Sequence, residues 1–220
     1  MATSLSFPVQ VGVRPVPRVV ERPRPASTDW RAGLPVLADG RVTLRELRAS
    51  DAPALFAMLT SEEVTRFISA PPPDAKGFER FVQWALAERA AGRYACFAVV
   101  PAGYDAPVGL VQVRQLDPSF SCAEWGACFA SQFWGTGIFT ASARLLLNFI
   151  FDVIGVHRLE ARAAVQNGRG NGGMRKLGAV QEGVLRRALW CRGEYHDQIL
   201  WSILSEDWRQ SRAELRPSVH

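Results

Sequence analysis

No stretch of the chain supplies the roughly 18 uninterrupted apolar residues that a membrane-spanning helix needs. The longest apolar run, Leu145 to Ile150, is broken by Asn148 and followed by Asp152. No secretory leader is expected either, because Met1 to Val13 has no basic start and Pro8 interrupts its short apolar stretch. Cysteine is scarce and unpatterned: Cys96, Cys122, Cys128 and Cys191 show no C-x-x-C spacing, and the chain has only three histidines to join them. Neither a zinc site nor a disulfide framework is indicated; free, buried thiols and no metal are expected. Nor is positive charge concentrated on the body. Residues 1–36 hold five arginines against two acids, and so carry +3 of the net +5. That leaves no basic platform for nucleic acid outside this segment. What remains is a chain of 220 residues, 48% apolar and 21% charged, which is the composition of one globular domain. A cytoplasmic protein without membrane contact is expected.

Six of the fourteen prolines fall in residues 1–36. Proline fixes φ and lacks an amide donor, so this segment favours extended conformations over helix or central strand. It reads as an arm over 1–38, either a tether or a partner-binding tail, followed by a domain over 39–210 and a tail over 211–220. Within the domain, Arg41–Leu47 reads as a half-buried strand. Ser50 is placed as an N-cap before Ala52, Leu55, Phe56 and Leu59 at helical spacing. A second helix is written by Phe78, Phe81, Val82, Ala85 and Leu86 after the Pro71–Pro73 breaker. Strands are expected at Tyr94–Val100, Pro107–Gln115 and Cys122–Phe129, then a long helix from Ile138 to Val153 and a strand at His157–Val165. A glycine-rich turn leads to a short helix ending near Leu177, and strands at Val180–Leu189 and Tyr195–Leu204 close the pattern. The order implies an α/β domain with a mixed, largely antiparallel sheet of six to seven strands and about four helices.

The sharpest local feature is Gln132-Phe133-Trp134-Gly135-Thr136-Gly137, between a strand and the long helix. Two close glycines allow a tight turn that points successive N–H groups at one spot, and the helix start adds partial positive charge, so phosphate is a natural ligand. The loop lacks the Lys-Ser/Thr pair of a nucleotide P-loop and is not a dinucleotide G-x-G-x-x-G.

With this loop go Glu124-Trp125-Gly126, Gly155-Val156-His157-Arg158-Leu159-Glu160-Ala161, Asn167, Arg175-Lys176-Leu177-Gly178-Ala179, Glu182-Gly183, Asp197 and Trp208. Together they resemble a GNAT acetyltransferase, most similar to the RimJ/RimL-like branch that acetylates protein N-terminal amines and some small amines. The likeness covers roughly residues 39–210, and its specific part is Glu124 to Gly183. It implies a GNAT fold in which the strand Cys122–Phe129 splays from His157–Val165, exposing an edge that holds the pantetheine arm of acetyl-CoA like an added strand. It further implies diphosphate on the amides from Phe133 to Ile138, with Cys128, Phe129, Ala130, Gln132, Trp134, Gly135, Thr136, Gly137, Thr140 and Asn167 completing the cofactor contacts. A backbone N–H near Phe129 would stabilise the oxyanion. Acetyl-CoA is then the co-substrate and an amine, on a peptide N-terminus or a small molecule, the acceptor; the protein is a monomer or a homodimer.

The acceptor must be neutral to attack, and an α-amino group, with a reference pKa of about 8, is far easier to deprotonate than a lysine at about 10.4. Glu124, flanking the thioester site, is the candidate base. One departure from the family stands out: its Asn-x-x-Ser reads Asn167-Gly168-Arg169-Gly170 here, with Gly172 where an arginine often stands. Tyr195 or water is the replacement proton donor, and the glycines of 168–173 are expected to be mobile and close to the cofactor. Two other readings compete. One is a catalytically inactive acyl-CoA-binding module; the other is a ribosome- or RNA-associated protein acting through the basic arm.

Overall fold

The computed structural model describes residues 29–214. Most of the arm, with its reading as tether or partner-binding tail, and the last six residues lie outside the described residues. The elements in chain order are β1 (Leu37–Ala38), β2 (Val42–Glu46), α1 (Ala52–Leu59), α2 (Glu62–Thr65), α3 (Ala75–Ala90), β3 (Tyr94–Pro101), β4 (Gly109–Gln115), β5 (Cys122–Phe129), α4 (Ile138–Phe149), β6 (Arg158–Ala164), α5 (Gly168–Lys176), β7 (Val180–Cys191), β8 (Glu194–Leu204) and α6 (Ser205–Glu214). The eight strands form one sheet in the order β1-β2-β3-β4-β5-β6-β8-β7. All neighbours are antiparallel except β5 and β6, whose parallel pairing needs a crossover, supplied by α4. The mixed, largely antiparallel α/β sheet expected from the sequence is thus present. It has one strand more than expected, the two-residue β1. The helices not foreseen are α2, whose four residues are too short to show a period, and α6, a polar segment anchored by the buried Trp208.

Strand alternation builds two cores. Ala95, Phe97 and Val99 of β3 face one cluster with Leu146, Leu147 and Phe149 of α4, while Tyr94, Cys96 and Ala98 face a second with Leu55 of α1 and Val82 of α3. Because both faces are covered, β3 reads as a continuous apolar run. The last residues of the segment read as the arm belong to the packed body: Trp30 is buried, edge-on to Phe120 at 5.8 Å. Among the described residues no helix is long and apolar enough to cross a membrane.

Three local expectations are corrected. Ser50 is not the N-cap before α1; it sits inside a short 3-10 turn, Ala49–Asp51. Asp51 does the anchoring, accepting the Arg48 N–H at 2.8 Å and both guanidinium arms of Arg45 at 2.7 and 2.8 Å. This buried, bidentate pair ties β2 to α1 and holds the Arg45 guanidinium above its usual value. The long helix keeps α-geometry only to Phe149. One π-turn over Ile150–Ile154 follows, closed by left-handed Gly155, whose N–H returns to the Ile150 carbonyl. The glycines of 168–173 are not a loose turn but the first two turns of α5. Asn167 caps that helix by accepting from the Gly170 N–H at 2.9 Å. Gly173 packs so tightly on α4 that a methyl group there would stand 2.7 Å from the Phe139 ring.

Pairing of β5 with β6 runs only from Cys122↔Arg158 to Glu124↔Glu160, after which the strands part. On the face away from α4, a chain of ions crosses this paired end. Arg114 of β4 meets Glu124 at 2.5 Å, Arg162 approaches Glu124 at 3.7 Å and Glu160 at 3.6 Å, and Arg158 joins Glu160 at 3.0 Å and Glu182 at 2.5 Å. Ser202 of β8 donates to Glu182 at 2.6 Å. Single exposed pairs contribute little, but a network spanning β4, β5, β6, β7 and β8 is harder to dissolve. Arg158, with Ser202 behind it, holds the Glu182 carboxyl down at about 2.

Two outcomes follow from this packing. Gly172→Ala, whose methyl meets nothing within 4 Å, raises stability by about 0.5–1 kcal/mol through helix propensity. Gly173→Ala lowers it by about 1–3 kcal/mol, because the Phe139 ring must move; thermal unfolding of both variants checks the contrast. Glu182→Gln lowers the melting temperature at pH 7. Because the Glu182 pKa is depressed on folding, that deficit persists down to about pH 4.5 and fades as pH falls through about 2, measured by melting curves of both proteins across this range.

Candidate active site

Two hydrogen bonds fix which β5 groups face the gap. The Ala130 N–H donates to the Val108 carbonyl and the Leu116 N–H to the Cys122 carbonyl, so the even-numbered residues of β5 are those bonded to β4. The odd-numbered ones turn their backbone the other way. Beyond the end of pairing, the N–H and C=O of Ala127 and the N–H of Phe129 therefore point into the space between β5 and β6. The Phe129 carbonyl accepts from the Trp134 indole Nε1 at 3.1 Å. The same alternation corrects the reading of two expected cofactor residues. Cys128 turns its backbone to β4 and its side chain into the second core, where burial pushes the thiol up to about 12. Ala130 is fully buried, its N–H spent on Val108 and its carbonyl on the Phe133 N–H.

The loop after β5 is a short 3-10 turn, Ser131–Phe133, then Gly135 at φ +77° and Gly137 at φ +88°. Only glycine adopts both angles without strain, and the turn delivers the chain into α4. The expectation that amides from Phe133 onward are free is too broad: Phe133 donates to Ala130 and Trp134 to Ser131. Among the described residues, the N–H groups of Gly135, Thr136, Gly137, Ile138, Phe139 and Thr140 find no acceptor. They cluster at the helix start, where Gly135, Thr136 and Gly137 are exposed and Ile138, Phe139 and Thr140 half-buried, a setting open to an anion. Thr136 returns its hydroxyl to the Phe133 carbonyl at 2.7 Å, and half-buried Thr140 stands in the first turn of α4. Gln132 does not join this cluster; its amide reaches the Met58 sulfur at 3.2 Å on α1. Phe133 packs edge-on to Tyr104.

Glu124 stands at the last paired position before the strands part, directly beside Glu160, on the face opposite α4. Both carboxylates are mostly buried and bound to arginines, with side-chain exposures of 19% and 14%. Tyr195 is placed differently. It is exposed at the tip of the β7–β8 hairpin, its ring 4.7 Å from that of Trp190. Continuing the two registers sets Ala127 level with Ile199 and Phe129 level with Asp197, so Tyr195 stands two to four residues further along β8, roughly 7–13 Å at strand rise. Among the described residues the Tyr195 hydroxyl makes no hydrogen bond that aims it at the fork. The hairpin tip instead reaches α2, where Arg192 pairs with Glu62 at 2.9 Å and the Cys191 thiol donates to the Ile68 carbonyl at 3.2 Å.

Asn167 is occupied as the cap of α5, and a Cβ at Gly170 would stand 2.7 Å from its amide nitrogen. Sequence reasoning missed Asn171. Its buried amide donates to the carbonyls of Ala164 at 2.9 Å and Val165 at 3.3 Å and accepts from the Trp201 indole at 2.9 Å, fixing where β6 ends and α5 begins. Also missed were Glu160, although it lay inside a quoted motif, and Arg169, whose guanidinium lies 4.3 Å over the Trp134 ring. An arginine among four glycines was the one available signal.

Comparison with known proteins agrees with this geometry. Residues 41–180 match the model of the acetyltransferase (GNAT) domain. A Bacillus subtilis protein provisionally named ribosomal N-acetyltransferase YdaF is 32% identical over 119 residues, which is 53% of this chain and 65% of that protein, so the match spans just under two thirds of the relative. Mycobacterium smegmatis RimJ, solved in complex with CoA-disulfide, superposes with a TM-score of 0.72 at 25% identity, covering 82% of this chain and 90% of that one. RimL, the ribosomal L7/L12 alpha-N-protein acetyltransferase solved with coenzyme A, shares the fold at a TM-score of 0.72 and 18% identity, over 79% of this chain and 99% of that one. The chain belongs to the GNAT acetyltransferase family, and among its relatives it is similar to RimJ.

Proposed function

We propose that this N-acetyltransferase takes acetyl-CoA as co-substrate and passes the acetyl group to a primary amine, the α-amine of a protein N-terminus being the preferred class. The observation that carries the reading is the parted pair β5 and β6, with the Ala127 and Phe129 N–H groups aimed into the gap and the unpartnered amides of 135–140 at its mouth. The pantetheine arm fits as an added strand against β5, and the diphosphate fits on the loop amides. The coenzyme A bound in the RimJ and RimL structures supports this choice of ligand.

In this reading the thioester carbonyl lies beside the β5 edge, and a backbone N–H of Ala127 or Phe129 receives the developing oxyanion. The neutral amine attacks the acetyl carbon within a ternary complex, the carbon–sulfur bond breaks, and coenzyme A leaves as a thiolate. With a thiol pKa near 8.5, that departure needs no dedicated acid, consistent with glycine at 170. The proton lost from the amine passes through water to the carboxylates at the fork, Glu124 with Glu160 beside it. Their arginine partners hold both carboxylates in place.

Release of free coenzyme A, followed with a thiol reagent over a panel of peptides and small amines, tests the reading. Acceptor-dependent release is expected, with peptides favoured over lysine side chains. Tight binding without release for any acceptor would leave only a binding module. Gly135→Asp, which adds a carboxylate beside the loop amides, is expected to abolish coenzyme A binding while the protein stays folded, its melting temperature lowered by a few degrees through the strain of a side chain at φ +77°. Glu124→Gln is expected to lower turnover by about 10-fold to 100-fold with the affinity for acetyl-CoA nearly unchanged. Unaltered turnover in that variant would remove Glu124 from the proton path.

A further inference from the structure

Two arginines that the loop motif does not contain converge on it from elsewhere in the chain. Arg169, in the first turn of α5, lays its guanidinium 4.3 Å over the ring of Trp134, the residue before Gly135. Arg41 comes from the start of β2, and its Nη1 lies 3.8 Å from where a methyl group on Gly137 would stand. The two cations thus flank the Gly135–Gly137 turn at either end. Among the described residues neither joins an ion pair, whereas Arg45, Arg114, Arg158 and Arg162 all do. The carboxylate nearest Arg41 in sequence, Asp39, is spent on the backbone N–H groups of Arg41 and Val42 at 2.9 and 3.1 Å. Space is also available. Methyl groups at Gly168 and Gly172, on either side of Arg169 in α5, would meet nothing within 4 Å.

Two exposed, unpaired guanidinium groups beside the loop amides leave a local excess of positive potential that attracts an anion. A planar fork of five donors matches phosphate oxygens in two-point contacts. We infer that Arg41 and Arg169 are the side-chain ligands for the phosphate groups of coenzyme A, taking over from Gln132, which is turned toward α1. Arg169 is parked on Trp134 by a cation–π contact, and it exchanges that contact for a phosphate when the nucleotide end of the coenzyme settles on the loop. The inference rests on the coenzyme A reading of the parted strands and names the residues that hold its charged end.

The test is a calorimetric titration of coenzyme A into the wild-type protein and the Arg41→Gln, Arg169→Gln and Arg169→Lys variants, at salt concentrations from about 20 to about 300 mM. Each glutamine variant is expected to raise Kd roughly 10-fold at low salt, with a shallower salt dependence, so that the gap to wild type narrows as salt rises. Arg169→Lys should recover most of the low-salt affinity, because it keeps the charge. Wild-type affinity in both glutamine variants would overturn the assignment. A loss that is the same at every salt concentration and is not restored by lysine would also overturn it, because it would mark a packing role. Absence of binding by the wild-type protein would instead overturn the coenzyme A reading itself.

Discussion

The parting of β5 from β6 is the feature on which the rest of the site depends. Below the fork, three paired positions and the arginine–glutamate chain from Arg114 to Glu182 hold the strands together. Above it, Phe139 from α4 fills the space under β5, near-parallel to Trp125 at 6.4 Å and edge-on to Phe129 at 6.0 Å, and rests on Gly173 of α5. The wedge and the clasp act at opposite ends of the same pair. A strand edge left with unpaired N–H and C=O groups is normally a liability. Here it is recessed between two strands of one sheet, where only an extended chain of the right width can reach it.

Around the fork, polar groups are either fully engaged or deliberately left over. Asn167 caps α5, Asn171 ties β6 to α5 and β8, and Trp134 takes the Phe129 carbonyl, so each site element is fixed by a specific bond. The N–H groups of residues 135–140 are the exception, together with the outward amides of β5. Backbone donors cost little when solvated and nothing to reorganise when a ligand arrives, which is the condition for electrostatic stabilisation without rearrangement. Burial pushes Cys96 and Cys128 up to about 12, far from nucleophilic reactivity.

Much of this was legible in the sequence, for identifiable reasons. Strand β5 was bounded to the residue because Asp117–Pro118 and the Gln132–Gly137 loop punctuate it on both sides. The loop itself was readable because glycine at two positive-φ positions before an apolar helix has few alternative meanings. Misreadings arose where tertiary contact decides. Gly168–Gly173 looks like a turn by propensity, yet it is helical because Gly173 must admit Phe139 and Asn167 caps the first turn. Where Tyr195 stands along β8 is set by strand register, which the sequence does not show. Arg41 and Arg169 were invisible as site residues because they are about 90 positions or more than 30 positions from the loop, joined to it only by the fold.

The account stands or falls on whether the β5 edge and the loop amides receive coenzyme A. Amide hydrogen exchange read residue by residue, with and without the coenzyme, asks this directly. Slowed exchange at Ala127, Phe129 and residues 135–138, with β7 unaffected, is the expected result. Binding of coenzyme A that leaves these amides exchanging at the unliganded rate would contradict it.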